Sequence, residues 1–305
     1  MKVCFIGSGS IGKRHIKNLS RICSERHIEL EIDLFRHSKN KISTEITDLI
    51  QREIYCMQEL ASHYDIIFIT NPTNHHYESL QQFKHLSTAF FIEKPLFENK
   101  DKDFKNLKLD KNSLYYVACP LRHLGILKEA KRVIEKEKVY VARAICSSYL
   151  PEWRPKADYR MVYSANEKLS GGIAFELIHE WDYLVDMFGF PEEIQSIKGQ
   201  YSDLEIQSDD IAVYIARYQG RIVELHIDYF GRIPKRELEL YTNEGTWKFN
   251  IIKNTIEYNG KIVEEIEEEP NHKYECEMKY FLDLISNGGD NINTISHAWE
   301  VIQMI

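Results

Sequence analysis

Apolar positions in the first 120 residues form short unbroken runs, separated by stretches with helical spacing. Val3–Ile6 is wholly apolar and stops at Gly7. Ile66–Ile69 and Ala89–Ile92 are similar runs that end at Thr70-Asn71-Pro72 and Glu93-Lys94-Pro95. A strand of a parallel sheet covered on both faces needs apolar residues on both sides, which is what such runs supply. Between them, Ile11, Ile16, Leu19 and Ile22 predict one helix and Tyr77–Leu86 a second. Leu30, Ile32 and Leu34 alternate with Glu31 and Asp33 as a further strand, and Tyr115–Cys119 is the last of the series. The β-α-β order predicts an α/β domain of the Rossmann type over residues 1–120.

The pattern then changes. Leu124–Glu137 is amphipathic and helical, Val139–Cys146 reads as a strand, and one helix is expected near 174–188. Strand patterns follow at Ile194–Tyr201, Ile211–Tyr218, Ile222–Tyr229, Glu237–Tyr241, Thr246–Ile251 and Thr255–Tyr258, several divided by turn signals such as Gln219-Gly220 and Asn259-Gly260. Asn-Gly between apolar runs marks a hairpin. These features predict an α+β second domain over 121–305 built on a mostly antiparallel sheet. Glu275–Ser286 and Ser296–Ile305 read as closing helices, the C-terminal one packing back on the first domain. The acidic run Glu264–Glu269 reads as a solvated strand end.

Composition narrows the class. A chain of 305 residues allows about two domains at ~150 residues each. Lys and Arg total 39 against 47 Asp and Glu, a net charge of −8. That balance speaks against nucleic-acid binding, which favours a basic excess. No apolar run reaches the ~18 residues of a membrane span. The six cysteines are scattered without a C-x-x-C pair, which suits a reducing cytoplasm and gives no structural zinc site.

Gly7-Ser8-Gly9-Ser10-Ile11-Gly12 matches G-x-G-x-x-G between a predicted strand and a predicted helix, the context that gives this motif its meaning. Gly7 allows a tight turn, Gly9 lets a pyrophosphate approach the backbone, and Gly12 lets helix pack on strand. Ser10 and Ile11 lie between them, where unpaired N–H groups at the helix start accept the phosphates. An acidic residue ~20 positions further on would bind the ribose of NAD. Asp33 meets that count but lies inside its strand, whereas the strand's end reads Arg36-His37-Ser38-Lys39. Arg36 and Ser38 suit a 2′-phosphate, so the cofactor is read as NADP or NAD, with NADP favoured.

Four landmarks occur in order: the glycine loop followed by Lys13-Arg14-His15, then Thr70-Asn71-Pro72-Thr73-Asn74-His75, then Glu93-Lys94-Pro95, then Gly171-Gly172 ahead of Glu176, His179 and Asp182. In this arrangement the chain resembles the Gfo/Idh/MocA oxidoreductases (glucose-fructose oxidoreductase, inositol 2-dehydrogenase and relatives), and within them a branch associated with surface polysaccharides and unusual sugars. The resemblance implies hydride exchange between a nicotinamide and a sugar, nucleotide-sugar or cyclitol. It also implies a large open sheet in the C-terminal domain, which serves substrate binding and whose outer face builds homodimers or homotetramers. Lys94 matches the family's active-site lysine, whose ammonium would stabilise alkoxide charge on the reacting oxygen. His179 matches the acid/base histidine. Asp182, one helical turn later, would contact substrate hydroxyls or orient the histidine. Glu176 lies three before His179, where that branch usually has Asp. Thr70, Asn71, Pro72, Asn74 and His75 match the loop under the nicotinamide half of the cofactor, and Glu93 would fix the same ribose. Arg122 matches a recurrent arginine that either forms a structural salt bridge or contacts substrate. No metal is implied: Tyr183 stands where a zincin motif would need its second histidine.

The segment Tyr149–Tyr163 interleaves Tyr149, Trp153, Tyr159 and Tyr163 with Arg154, Lys156 and Arg160. Aromatic faces suit sugar C–H faces, and arginines pair with phosphate or carboxylate. Trp153, Arg154 and Tyr159 are therefore candidates for holding a sugar that bears an anionic group. Two other readings compete: a non-catalytic dinucleotide sensor of the same fold, and a reductase of a non-sugar substrate.

Overall fold

The computed structural model describes residues 1–166 and 171–305, and the elements and contacts below are those of the described residues. The chain divides into two compact units. The first is Met1–Pro120 with Lys273–Ile302, and the second is Leu121–His272 with Gln303–Ile305. No helix is long and apolar enough to cross a membrane.

In chain order the first unit contains β1 (Lys2–Ile6), α1 (Ser10–Glu25), β2 (Glu31–Phe35), α2 (Thr44–Thr47), β3 (Arg52–Ile54), β4 (Ile66–Ile69), α3 (His76–Phe83), β5 (Ala89–Ile92) and β6 (Leu114–Val117). The strands form one parallel sheet in the order β3-β2-β1-β4-β5-β6, the doubly wound order whose halves diverge between β1 and β4. The short strand β3 was not foreseen; only Ile54 of its three residues is buried, so it leaves no apolar run. Central strands β1, β4 and β5 are buried almost throughout. Phe5 stacks on Phe68 at 4.2 Å, and Phe281 stands edge-on to Phe91 at 5.2 Å.

The second unit begins with α4 (Gly125–Lys136), β7 (Val139–Tyr149) and α5 (Leu150–Trp153). It continues through α6 (Ile173–Glu176), α7 (Ile178–Phe188), β8 (Glu193–Gly199), β9 (Ile211–Tyr218), β10 (Arg221–Asp228) and β11 (Phe230–Thr242). It ends with β12 (Thr246–Asn250), β13 (Thr255–Tyr258) and β14 (Lys261–Glu265). The sheet order is β14-β13-β12-β11-β7-β10-β9-β8, antiparallel except where β7 runs parallel to β10. Period-two burial follows the pleat. Ala212, Tyr214 and Ala216 of β9 face inward, while Val213 is half-buried and Ile215 exposed. The helix expected near 174–188 is two helices, because Leu177 leaves helical geometry between them.

The acidic run is not wholly solvated. The Glu268 carboxylate accepts the Gly125 N–H at 3.3 and 3.4 Å, placing negative charge at the N-terminus of α4 where the helix dipole favours it. The closing helices α8 (His272–Asn287) and α9 (Ile295–Met304) lie largely in the first unit. Met278, Phe281 and Leu282 of α8 join its core. Buried Glu277 accepts the Cys119 N–H at 2.5 Å and the Tyr116 hydroxyl at 3.2 Å.

Candidate active site

In the first unit the candidate residues gather at the C-terminal ends of the parallel strands, where open α/β sheets bind ligands. Gly7 has a φ of +94°, and a Cβ there would lie 2.8 Å from Asn71 Cα. A Cβ at Gly12 would lie 2.8 Å from Gly7 O and 2.9 Å from Thr70 Oγ1. Gly9 differs: a Cβ there would meet nothing within 4 Å. It is the N-cap of α1, with no side-chain hydrogen bond closing the first turn. Two glycines are thus demanded by packing, and the third leaves room before uncapped N–H groups, which fits a dinucleotide pyrophosphate. Ser10 and Ile11 open α1 at that point.

Thr70 is buried, and its hydroxyl lies 2.9 Å from Gly7 O and 3.2 Å from Ile6 O, sharing its proton between the two carbonyls. It therefore braces the glycine loop. Asn71 donates from Nδ2 to Ser79 Oγ at 2.9 Å. Pro72 caps a short 3₁₀ turn through Thr73, Asn74 and His75. His75 is exposed, whereas the next residue, His76, is fully buried.

Glu93 follows β5 and is buried. Its Oε1 lies 2.5 Å from His15 Nε2 of α1, and its Oε2 accepts the Lys94 N–H at 3.3 Å. Burial alone would raise the Glu93 pKa, but the hydrogen bond and charge of His15, with Lys94 beyond it, hold it below the ordinary value. Its carboxylate is thus engaged by protein, and it braces Lys94, which is half-buried and joined to Pro95 by a cis peptide.

On the adenosine side, Asp33 lies within β2, and Arg52 Nε and the Tyr64 hydroxyl bind its carboxylate at 2.9 and 2.7 Å. Burial works to raise its pKa, yet those two partners outweigh burial and lower it. Asp33 is therefore a structural ion-pair partner. The end of β2 carries Arg36, whose guanidinium contacts Glu53 Oε2 at 3.0 Å and Asn40 O at 2.5 Å. Ser38 is exposed, and its hydroxyl accepts the Asn40 N–H at 3.2 Å.

In the second unit, His179 and Asp182 stand one turn apart on α7, and Glu176 closes α6. Arg122 binds Asp182 through both carboxylate oxygens, at 3.0 and 2.7 Å, and reaches Asp186 at 3.4 Å. The pair is buried, and Arg122 forms a salt bridge within it. Glu180, fully buried beside His179, accepts from Arg236 Nε of β11 at 2.8 Å. Burial works against the Arg236 charge, but Glu180 outweighs it and pushes the guanidinium pKa up. The tie anchors the start of α7 on the sheet. Glu176 Oε2 accepts the Tyr229 hydroxyl at 2.9 Å.

Tyr229 also stands edge-on to Trp153, with ring centroids 5.3 Å apart. Trp153 donates to Ser148 Oγ at 2.9 Å. Trp153, Arg154 and Tyr159 line one small pocket with Leu150, Val162 and Ser164. Tyr159 Oη accepts the Glu205 N–H at 3.3 Å. Arg160 is committed to Asp158 and Glu205, whereas no carboxylate among the described residues pairs with exposed Arg154.

Sequence reasoning assigned no part to His15, His76, Glu180, Tyr229 or Arg232, whose guanidinium lies 3.6 Å from the Tyr149 ring centroid. His15 had a signal: it lies one helical turn after Gly12. Tyr229 had none, because its partner is 53 positions away.

The chain thus joins a glycine-loop Rossmann unit to a unit built on a large open sheet. Residues 1–112 match the Gfo/Idh/MocA model, an oxidoreductase family with an NAD-binding Rossmann fold. The match covers the glycine-loop unit and stops short of the large-sheet unit. No curated protein sequence matches the chain.

Solved structures share the fold along its whole length. Levoglucosan dehydrogenase, in complex with NADH and levoglucosan, is 14% identical with a TM-score of 0.84, covering 100% of this chain and 95% of that one. An oxidoreductase from Thermotoga maritima is 16% identical with a TM-score of 0.83, covering 99% and 93%. The UDP-N-acetylglucosamine 3-dehydrogenase from Acidithiobacillus ferrooxidans is 15% identical with a TM-score of 0.78, covering 99% and 94%.

Proposed function

We propose that the protein exchanges hydride between a nicotinamide dinucleotide and a hydroxyl or keto carbon of a sugar, nucleotide-sugar or cyclitol. The observation that carries this reading is the Glu93-Lys94-Pro95 turn at the end of β5, braced through Glu93 by His15 of the helix that opens at the glycine loop. The similar folds of the levoglucosan and UDP-N-acetylglucosamine dehydrogenases support a sugar substrate.

Bound nicotinamide supplies the hydride acceptor or donor. Lys94 holds the reacting oxygen and stabilises negative charge on it as the carbon is oxidised. His179 takes the hydroxyl proton, or returns it during reduction. Arg122 and Asp182 act as a frame that fixes α7, and Glu176, held by Tyr229, contacts substrate hydroxyls. Arg154, with Arg232 stacked on Tyr149, favours a substrate carrying phosphate, since guanidinium groups without carboxylate partners are suited to bind one.

The finer cofactor choice is NADP. Asp33 is held inside β2 by Arg52 and Tyr64, and Arg36 at the strand's end would exchange its contacts with Glu53 and Asn40 for a 2′-phosphate. Thr70, Asn71, Pro72, Asn74 and His75 serve the nicotinamide side as a braced loop. A second copy of the chain would pack on the exposed face of the large sheet.

The test is a turnover screen with both dinucleotides against polyols, keto-sugars and nucleotide sugars, with Lys94→Ala as control. Turnover by the wild type and its loss in the control are expected. Dinucleotide binding without turnover on any of these substrates would contradict the proposal and favour the sensor.

A further inference from the structure

His76 is the first residue of α3, and its ring is fully buried. It touches two separate loops. Nδ1 lies 3.0 Å from Pro95 O and 3.2 Å from Leu96 O, and Nε2 lies 3.0 Å from Asn71 O. Both nitrogens therefore face carbonyl oxygens, which only accept: a neutral ring donates to one loop and packs against the other, and a protonated ring donates to both. One loop is the continuation of Lys94. The other is pressed against Gly7 so tightly that a single added carbon would lie 2.8 Å from Asn71 Cα. Lys94 is thus braced from both ends, by Glu93 and His15 on its N-terminal side and by His76 on its C-terminal side. A lysine at a strand end has four rotatable side-chain bonds, so its ammonium is placed no better than its backbone.

We propose that His76 is a positioning residue: a buried strut that ties the Lys94 loop to the glycine loop, so that the ammonium and the dinucleotide site keep one fixed spacing. The role rests on the reading of Lys94 as the group that holds the reacting oxygen. A strut of this kind acts on chemistry more than on cofactor affinity, because the pyrophosphate contacts lie at the start of α1 and remain. Its loss displaces the ammonium, and a misplacement of about 1 Å costs on the order of a hundredfold in rate.

The test uses His76→Phe, which keeps a ring and removes both polar contacts, and His76→Gln, which restores a donor of similar reach. Three quantities are read in the full-length protein. They are the acylation rate of each lysine by acetic anhydride, followed by mass spectrometry, the dissociation constant of the dinucleotide from nicotinamide fluorescence, and kcat. In His76→Phe the Lys94 acylation rate should change at least about threefold while Lys17 and Lys84 keep theirs. The dinucleotide dissociation constant should stay within about threefold and kcat should fall at least about tenfold, with His76→Gln recovering most of both effects.

Should His76→Phe fail to fold, His76→Asn carries the same expectation, its amide being too short to span both loops. An unchanged Lys94 acylation rate in a folded variant would overturn the proposal. So would a loss of dinucleotide binding as large as the loss of kcat, since that marks general collapse of the unit. If the wild type turns over no substrate, the functional reading fails, yet the acylation rates still decide the strut.

Discussion

At the scale of single residues, the candidate chemistry depends on side chains spent in bracing. Asp33 has the spacing of a ribose ligand and serves instead as the buried partner of Arg52 and Tyr64. Its folded pKa is below its ordinary value, so the stability it contributes is present above about 3.9 and lost as pH falls through the folded value. Asp33→Asn should lower urea stability at pH 7 and flatten the fall in stability below about pH 4. An unchanged acid slope in urea titrations would show that the carboxylate is not coupled to folding. Motifs with a backbone reason were legible: Gly7 and Gly12 stand where an added Cβ would meet backbone or side-chain atoms under 3 Å away. Residues whose role depends on a distant partner were not. Arg122 left two readings open because Asp182 is 60 positions away, and His76 resembles its exposed neighbour His75 until the fold buries one of them.

At the scale of elements, apolar periodicity located the strands well because burial on one or both faces leaves a direct imprint on sequence. It failed where that imprint is missing. The edge strand β3 is too short and too exposed to show one, and the break between α6 and α7 falls at Leu177, an apolar residue that carries no helix-stop signal. The start of α7 matters most, because it carries His179. It is held to the sheet by the ion pair of buried Glu180 with half-buried Arg236. Glu180→Ala leaves a half-buried guanidinium without its partner and should destabilise the protein, by less than the ~3–5 kcal/mol of a fully buried pair. Converting both partners to apolar residues, as Glu180→Leu with Arg236→Met, should restore much of that loss. Chemical denaturation of the three variants measures both, and a double variant no more stable than Glu180→Ala would contradict the assignment.

At the scale of the whole molecule, the two units were legible as a change from parallel to antiparallel patterning near residue 120, and the membership of α8 in the first core was less so. A helix reveals its apolar face in sequence, but nothing there names the surface it meets. The large sheet presents Ile197 and Ile215 at 67% and 51% exposure beside the charged side chains of Arg143, Glu224 and Glu237, the face on which the proposed second copy would pack. Ile215→Arg should convert an oligomer into monomers in light scattering; an unchanged mass would place the interface elsewhere. The central proposal is that Lys94 and His179 serve one reaction. A double-variant cycle on kcat at saturating dinucleotide tests it most directly, with Lys94→Ala, His179→Ala and the pair. The account predicts that each single change lowers kcat by about a hundredfold or more, that the pair lies within about tenfold of the worse single, and that the dinucleotide dissociation constant changes less than about threefold. Single variants that keep wild-type kcat, or losses that multiply in the pair, would contradict it.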